Sequence, residues 1–529
     1  METMSEREPV VLDGASLTPE DVARVARDGA RVTIAESARE AVRESRERVE
    51  EVIESGEAVY GLNTGFGQLV TERIPESERE RLQTNLVRSH ASGVGRELDR
   101  EEVRAMILTR VNALVKGYSG IREVVADHLV TMLNEGIHPV VRSRGSLGAS
   151  GDLAPLAHLA LVLLGEGSAD ADGERLDGRE ALERAGLEPL SLAAKEGLAL
   201  INGTQLTVGL AALCVIDAER AVRGADIAGA LMTEVSMGTT AACDPAIQEV
   251  RPHDGQATSA RNVRKLTADS GIVESHRNCD RVQDAYSLRC LPQVHGAVRD
   301  AIAHLRGTVE TELNSATDNP LVFPGSAVDD RASGTDGMGV LSGGNFHGEV
   351  LALQLDYVTN ALTELAAIAE RRTDRLLNPN HQADHLPPFL TPESGVRSGY
   401  MIAQYSAAAL ANESRSLGAP STDNTPVSGG QEDHVSMSAE SAFCARTAVE
   451  NALTAVGIEL LCGAQAMEFV DDDLDPGTGT GAAYDAIREH VPPLDADRPL
   501  HTEIEIATEL VAAGRLDDAV ECALDEPIE

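Results

Sequence analysis

Gly148-Ala149-Ser150-Gly151-Asp152-Leu153-Ala154-Pro155-Leu156-Ala157-His158-Leu159-Ala160-Leu161 joins a glycine-flanked tripeptide to the start of a helix. Asp152 suits the N-cap, Pro155 is tolerated in a first turn, and Leu156, Ala160 and Leu163 recur at helical spacing. Ala-Ser-Gly can also close on its own backbone. The amide nitrogen of Gly151 attacks the carbonyl carbon of Ala149 and forms a five-membered ring through Ser150. Glycine accepts the kinked backbone this requires. Loss of the Ser150 hydroxyl as water then leaves an exocyclic C=C, a carbon electrophile that no ordinary side chain supplies. Ala91-Ser92-Gly93 and Ala332-Ser333-Gly334 repeat the tripeptide, and a bare match reads as a small-residue turn. The copy at 149 differs in its helix start, where the dipole favours negative charge developing on an electrophile.

Around this stretch lie 529 residues, 42% hydrophobic, enough to bury a large core in one long or two ordinary domains. Aromatics are only 2% and Trp is absent, so Ala and aliphatic side chains must fill the interior. That favours helices packed on helices over sandwiches or barrels. No apolar run is long enough to span a bilayer, and the opening Met-Glu-Thr-Met-Ser-Glu-Arg-Glu is no secretory signal, so a cytoplasmic protein without membrane partners is expected. The net charge is −41, with carboxylates dispersed along the chain and lysine only at 116, 195 and 265. Such a surface suits concentrated salt, where the Debye length falls to ~3 Å and self-repulsion is screened; a halophilic protein is expected. The lack of a basic stripe argues against nucleic acid.

Several familiar signals fail on inspection. Seven scattered cysteines fit buried reduced thiols better than a disulfide framework. His276, Cys279 and Cys290, and separately His381 and His385, do not complete a four-ligand site, so no metal is expected. Asp471, Asp473 and Asp475 mimic half a calcium loop, but Pro476 and Ala482 stand where Gly and Glu are required. Gly477, Gly479 and Gly481 lack nucleotide-loop spacing and read as a loop before a helix. Ser150 fails the nucleophile-elbow pattern because Asp152 holds its last position.

The organisation points to a mainly α protein. Residues 1 to about 50 are acidic and helical in pattern, and short helices with Gly-rich turns follow to about 205. Long Ala- and Leu-rich stretches then occupy 206–236, 291–317, 345–376, 400–418 and 436–470, which suggest a bundle. The expected division is an N-terminal domain, 1–205, carrying the electrophile, and a long-helix bundle with a C-terminal helical tail, 206–529. Irregular polar segments at 243–258, 278–290, 318–344, 378–396 and 419–434 lie at helix ends, where side chains can converge.

Those connections and the N-terminal region carry dense polar motifs. Tyr60-Gly61-Leu62-Asn63-Thr64-Gly65-Phe66-Gly67, Ser89-His90 and Asn202-Gly203-Thr204-Gln205 come first. Gln283-Asp284-Ala285-Tyr286-Ser287-Leu288-Arg289, Thr317-Asp318-Asn319-Pro320, Asn345-Phe346-His347-Gly348 and Gln431-Glu432-Asp433-His434 follow. In their order and spacing, from about Tyr60 to His490, these motifs resemble the aromatic amino-acid ammonia-lyases.

The resemblance implies a mainly α fold and a homotetramer whose active sites draw on more than one subunit. It also implies that Ala149-Ser150-Gly151 forms 4-methylidene-imidazole-5-one autocatalytically, with no external cofactor. Tyr60 matches the catalytic base on the substrate β-carbon. Its ordinary pKa of about 10 would have to be lowered by nearby positive charge or donors. Arg289 matches the residue that holds the substrate carboxylate, a task for a planar fork of donors. Asn202 and Tyr286 match groups that hydrogen-bond around the ring and substrate, and Gln283 and Phe346 match pocket residues. His295, His347 and His434 are given structural roles.

Substrate choice rests on Ser89-His90 and Glu432, where phenylalanine- and tyrosine-preferring relatives carry other residues. Imidazole offers one donor and one acceptor nitrogen, which a His–Glu combination can serve. The expected reaction is elimination of ammonia from L-histidine to give trans-urocanate, the entry to histidine degradation. A phenylalanine or tyrosine ammonia-lyase, or an aminomutase with the same electrophile, is the alternative. A catalytically silent helical oligomer is disfavoured by intact Tyr60, Ser150, Asn202, Arg289 and Glu432. Fumarase-type lyases are excluded by the missing Gly-Ser-Ser motif.

Overall fold

The computed structural model describes residues 8–55, 75–277, 279, 281–335, 337–422 and 425–529. The chain is mainly α, as its composition requires. Among its helices are α1 (Arg79–His90), α2 (Arg100–Val115), α3 (Leu153–Leu163), α4 (Glu196–Ile201), α5 (Gln205–Val235), α6 (Leu291–Leu313), α7 (Glu349–Leu377), α8 (Met401–Arg415) and α9 (Ser438–Met467). The last five start and end within four residues of the apolar stretches seen in the sequence. The late start of α7 has a local cause: Asn345–Gly348 forms a turn, His347 N donating to Gly344 O at 2.9 Å, before the helix begins.

Three expectations need correction. The first fifty residues are not all helical, because Val10–Leu12 and Val32–Ile34 pair as a short parallel ladder. Three β-branched or aliphatic residues per strand are too few to show a period of two. Gly479 and Gly481 lie inside the first turn of the helix Thr478–Arg488, not in a loop; Gly477 is its N-cap. The glycines permit close packing, since a Cβ on Gly479 would stand 2.8 Å from Leu266 Cδ2. The 318–344 segment contains an antiparallel sheet, Leu321–Pro324 beside Met338–Leu341 beside Ser333–Gly334. The Ala332 copy of the tripeptide therefore sits in an edge strand.

The chain forms two compact units, and neither is one continuous stretch. The first comprises Met1–Leu213, Leu305–Asp356 and Ala419–Phe443; the second comprises Cys214–His304, Tyr357–Gly418 and Cys444–Glu529.

In the first unit α2 is buried at every position from Glu102 to Val115. Beside it, Val94–Glu97 pairs antiparallel with Arg142–Arg144, Val94 opposite Arg144. That pairing sets the chain leaving α1 next to the chain entering the Gly148–Gly151 loop. His158 of α3 adds a second tie, its Nε2 accepting from Gly93 N at 3.1 Å. Burial and the nearby Arg142 guanidinium depress the His158 pKa, which keeps the ring able to accept.

In the second unit Ala and Gly let the helices approach closely; a Cβ on Gly463 would stand 2.9 Å from Leu231 Cδ2. Several charges taken into this core are paired. Asp226 accepts from His295 Nδ1 at 2.7 Å and from Arg299 at 2.6 Å. Arg372 pairs with Glu459 at 2.9 Å and donates to His295 Nε2 at 3.1 Å. His295 is thereby fixed as the neutral tautomer in a structural network.

None of the seven cysteines forms a disulfide; Cys214, Cys243, Cys444 and Cys462 are buried, while Cys279 and Cys522 are exposed. Among the described residues, no helix is long and apolar enough to cross a membrane.

Candidate active site

The Ala149-Ser150-Gly151 loop is held from several directions within the first unit. Gly151 has φ +76° and faces Gly203 in a parallel bridge, and a Cβ on Gly151 would stand 2.6 Å from Gly203 N. Only glycine tolerates both the left-handed backbone and the approach. Gly148, φ +69°, meets the serines at the start of α9; its Cβ would lie 2.6 Å from Ser438 Oγ. Ser436 Oγ and Gly348 N both donate to Gly148 O, at 3.2 and 3.1 Å. Met437 N donates to Leu147 O at 2.8 Å.

Asp152 does something other than the expected capping. It occupies the N-cap position of α3, yet its side chain makes no cap bond. The carboxylate accepts from Thr207 N at 2.9 Å, Thr207 Oγ1 at 3.0 Å and Ser146 Oγ at 2.8 Å. Its backbone N–H donates to Gly203 O at 2.7 Å. Asp152 thus ties the tripeptide to the start of α5. Full burial raises its pKa, against the opposing hydrogen bonds from Thr207 and Ser146.

Two further polar groups reach Ser150. Asn202 Nδ2 donates to Ser150 O at 2.9 Å, and the Ser150 hydroxyl donates to Glu432 Oε1 at 3.1 Å. Asn202 Oδ1 is buried with no hydrogen-bond partner among the described residues. Buried acceptors without partners are rare, and this one is beside the reacting loop. Ala149, Ser150, Gly151, Asn202 and Glu432 are therefore brought together.

The remaining expected residues fall into separate groups. Ser89 and His90 end α1; Ser89 Oγ donates to Leu86 O at 3.0 Å, and His90 Nδ1 donates to the same oxygen at 2.8 Å. That leaves Nε2 of neutral His90 as an acceptor. Phe346 is half-buried in the turn before α7. In the second unit Gln283, Tyr286 and Arg289 cluster on and beside a four-residue helix, Tyr286–Arg289. Arg289 donates to Gln283 Oε1 at 2.5 Å, and its guanidinium stands 5.6 Å from the Tyr286 ring centroid. Tyr286 is 72% exposed. Tyr60 lies outside the described residues.

His347, Glu349 and His434 offer ligand atoms within 4.8 Å of one another. The two imidazoles stack 5.7 Å apart and only 5° from parallel. Ring nitrogens bind metals in the ring plane, and parallel planes do not meet at one ion. His347 is engaged otherwise, Nε2 donating to His434 O at 3.3 Å and Nδ1 accepting from Glu349 N at 3.4 Å. The trio latches the Phe346 turn to the Glu432 segment.

Sequence reasoning assigns no role to the groups behind the loop: Ser146, Thr207, Arg110 and the buried pair Lys195–Asp318, 2.6 Å apart, although Asp318 stands in one of the polar motifs. One signal was available. Arg110 stands in Met-Ile-Leu-Thr-Arg-Val-Asn-Ala-Leu-Val, and a stretch of helix apolar on all sides buries the one cation within it.

Comparison with known proteins identifies the family. The family model for aromatic amino acid lyase matches residues 17–489. A probable histidine ammonia-lyase of Halobacterium salinarum is 65% identical over 521 residues, covering 98% of this chain and 99% of the relative. A histidine ammonia-lyase of Gloeobacter violaceus is 50% identical, covering 97% of this chain and 98% of its own. Among solved structures, histidine ammonia-lyase from Trypanosoma cruzi superposes with a TM-score of 0.89 at 39% identity, covering 98% of this chain and 96% of that one. Tyrosine aminomutase from Streptomyces globisporus superposes at 0.91 with 37% identity, covering 99% of this chain and 100% of that one. Family match, whole-length identity and shared fold all lead to one statement: the chain belongs to the aromatic amino acid lyase family.

Proposed function

We propose that the protein eliminates ammonia from L-histidine to give trans-urocanate, using an electrophile formed from its own Ala149-Ser150-Gly151 backbone. The observation that carries this reading is the convergence of Asn202 and Glu432 on Ser150, at 2.9 and 3.1 Å. Relatives at 65% and 50% identity that bear the histidine ammonia-lyase name support the substrate.

The residues present fit a 4-methylidene-imidazole-5-one. Gly151 has the backbone freedom and the close glycine neighbour that ring closure needs, and Asp152 anchors the next peptide. Closure expels the Ala149 carbonyl oxygen as water with the two amide protons of Ser150 and Gly151. A second water takes the Ser150 hydroxyl and its α-proton. The finished group supplies an electrophilic carbon that turns the substrate amine, or its ring, into a better leaving arrangement.

The chain's own side chains do the rest. Asn202 donates to the Ser150 carbonyl oxygen, where negative charge would gather. Arg289, braced by Gln283, offers its remaining guanidinium face to a carboxylate, and Tyr286 frames it. His90 and Glu432 offer an acceptor and a carboxylate to an imidazole ring. Tyr60 takes the β-proton.

A homotetramer with shared sites belongs to the same reading. Val350, Leu353 and Tyr357 form an exposed apolar stripe along α7, and Ile402 and Tyr405 another on α8. An open trio such as Gln283, Tyr286 and Arg289 suits a site completed by a neighbouring subunit. The −41 charge suits work in a salt-rich cytoplasm. Incubation with histidine, phenylalanine and tyrosine in concentrated salt tests the assignment. Urocanate from histidine alone is expected; β-amino acid products or cinnamate would move it to an aminomutase or a phenylalanine lyase.

A further inference from the structure

Arg110 is fully buried in α2, yet among the described residues no carboxylate lies within its hydrogen-bond reach. It donates through Nη1 to Asn202 O at 2.8 Å and to Gln205 Oε1 at 2.5 Å, and through Nη2 to Ala199 O. Ala199 and Asn202 form the C-terminal end of α4, whose last carbonyls have no partner within the helix and carry its negative pole. Gln205 in turn donates to Thr317 Oγ1 at 2.7 Å. Burial pushes the Arg110 pKa down to about 10, with Asp318 opposing, so the guanidinium stays charged at neutral pH.

This cation is directly behind the working face of the loop. Asn202 turns from helix to extended backbone, φ −93° and ψ 119°, and points its carboxamide at Ser150 O. The next peptide accepts from Asp152 N through Gly203 O. A Cβ on Gly203 would stand 2.6 Å from Arg110 Nη1, so the guanidinium is in close contact with that peptide. The fork of Arg110 thus fixes the Asn202 backbone by its carbonyl oxygen, at 2.8 Å, while the same residue's side chain reaches Ser150 O.

We propose that Arg110 is a positioning residue for the dehydration of Ser150, acting through Asn202; this rests on the electrophile reading above. In that step the Ser150 Cα–H proton and the Oγ hydroxide leave together as one water, and the C–H electron pair becomes the Cα=Cβ bond. Charge passing onto Ser150 O as the proton departs is met by the Asn202 Nδ2–H, and Glu432 accepts from the departing hydroxyl. No outside reactant is required. Arg110 keeps the Asn202 donor aligned while this charge develops.

Arg104 provides the matched control. It is on the same helix, is buried, and has its pKa pushed to about 10 by burial, but it donates to Val25 O and Leu133 O, away from Asn202. The experiment compares wild type, Arg110→Met, Arg110→Lys and Arg104→Met by intact mass at intervals after synthesis, with circular dichroism and histidine KM. Wild type and Arg104→Met should be fully dehydrated. Arg110→Met should dehydrate on the order of 10²-fold more slowly, the cost of a displacement of about 1 Å, and Arg110→Lys should fall between. Residual turnover should follow the dehydrated fraction at unchanged KM.

Folded Arg110→Met that dehydrates as fast as wild type overturns the proposal. So does failure of both Arg110 variants to fold while Arg104→Met folds, since Arg110 would then serve stability alone. A wild type carrying its full unreacted mass would instead remove the electrophile reading on which the proposal stands.

Discussion

The Ser150 hydroxyl donates to Glu432 Oε1 across 3.1 Å, although 282 positions separate the two residues in sequence. The group that must leave and the acid assigned to the substrate ring thus share one hydrogen bond. On the proposed reading Glu432 would stand beside the carbon that becomes electrophilic, with ring recognition and amine departure within one side chain's reach. Glu432→Gln should leave the fold intact and cut histidine turnover steeply. A site that hydrogen-bonds a polar ring rejects an apolar analogue by up to ~10⁴-fold, so wild type should leave phenylalanine nearly untouched. Any gain of the variant toward phenylalanine should be small, because removing a penalty does not build a packed pocket. Parallel assays on both amino acids check this.

Ser150→Ala replaces one small residue by another in a part-exposed position and removes the hydroxyl that must leave. The oligomer should sediment as wild type, while turnover should fall to background. Substantial activity in this variant would require a different electrophile.

Tyr60→Phe keeps the ring and deletes only its hydroxyl. Turnover should fall by roughly 10²- to 10⁴-fold, the range supplied by a positioned base, with little change in KM. Near-normal turnover would assign proton removal to another group.

Arg289→Lys exchanges a braced fork for a point charge. KM for histidine should rise about tenfold or more, the scale of one charge-assisted hydrogen bond of ~1.5 kcal/mol. An unchanged KM would show that the carboxylate binds elsewhere.

Much of this was legible in the sequence because it was written in runs or in dense polar motifs. The stretch 206–236 is apolar over many turns and becomes α5 almost residue for residue. Asn202 and Glu432 stand in motifs whose residue types have little reason to occur on a plain surface. For other features the partners carry no local mark. Asp152 looks like a cap from its place before Leu153, and only the folded chain brings Thr207 and Ser146 to its carboxylate. Arg110 and Lys195 each lie in an apolar run, and their acceptors come from segments far along the chain. Val10–Leu12 is shorter than any periodicity can register.

Acid should weaken each unit through a histidine, buried His295 in one and half-buried His138 in the other. Burial, with Arg372 and Arg299 adding to it and Asp226 opposing, pushes His295 down to about 4; burial, Arg104 and Arg100 do the same to His138. A histidine held neutral in the fold but free to protonate when unfolded binds more protons in the unfolded chain. Its stabilisation is complete above its ordinary value of 6.5 and is lost progressively as pH falls toward 4. Melting temperature should therefore decline between those values, and His138→Gln should flatten part of the decline. A melting temperature that is constant over that range would contradict this.

Dilution should be damaging for a separate reason. At −41, removal of salt restores repulsion between dispersed carboxylates. Dissociation or unfolding is expected on dialysis into dilute buffer; an unchanged sedimentation profile with full activity would refute it.

The most direct measurement is the intact mass of protein that is turning over histidine. The account predicts a mass lower than the sequence by two waters, with the whole loss mapped to the peptide containing Ala149-Ser150-Gly151. An active enzyme at its unreacted mass, or one whose loss maps outside that peptide, would contradict the account.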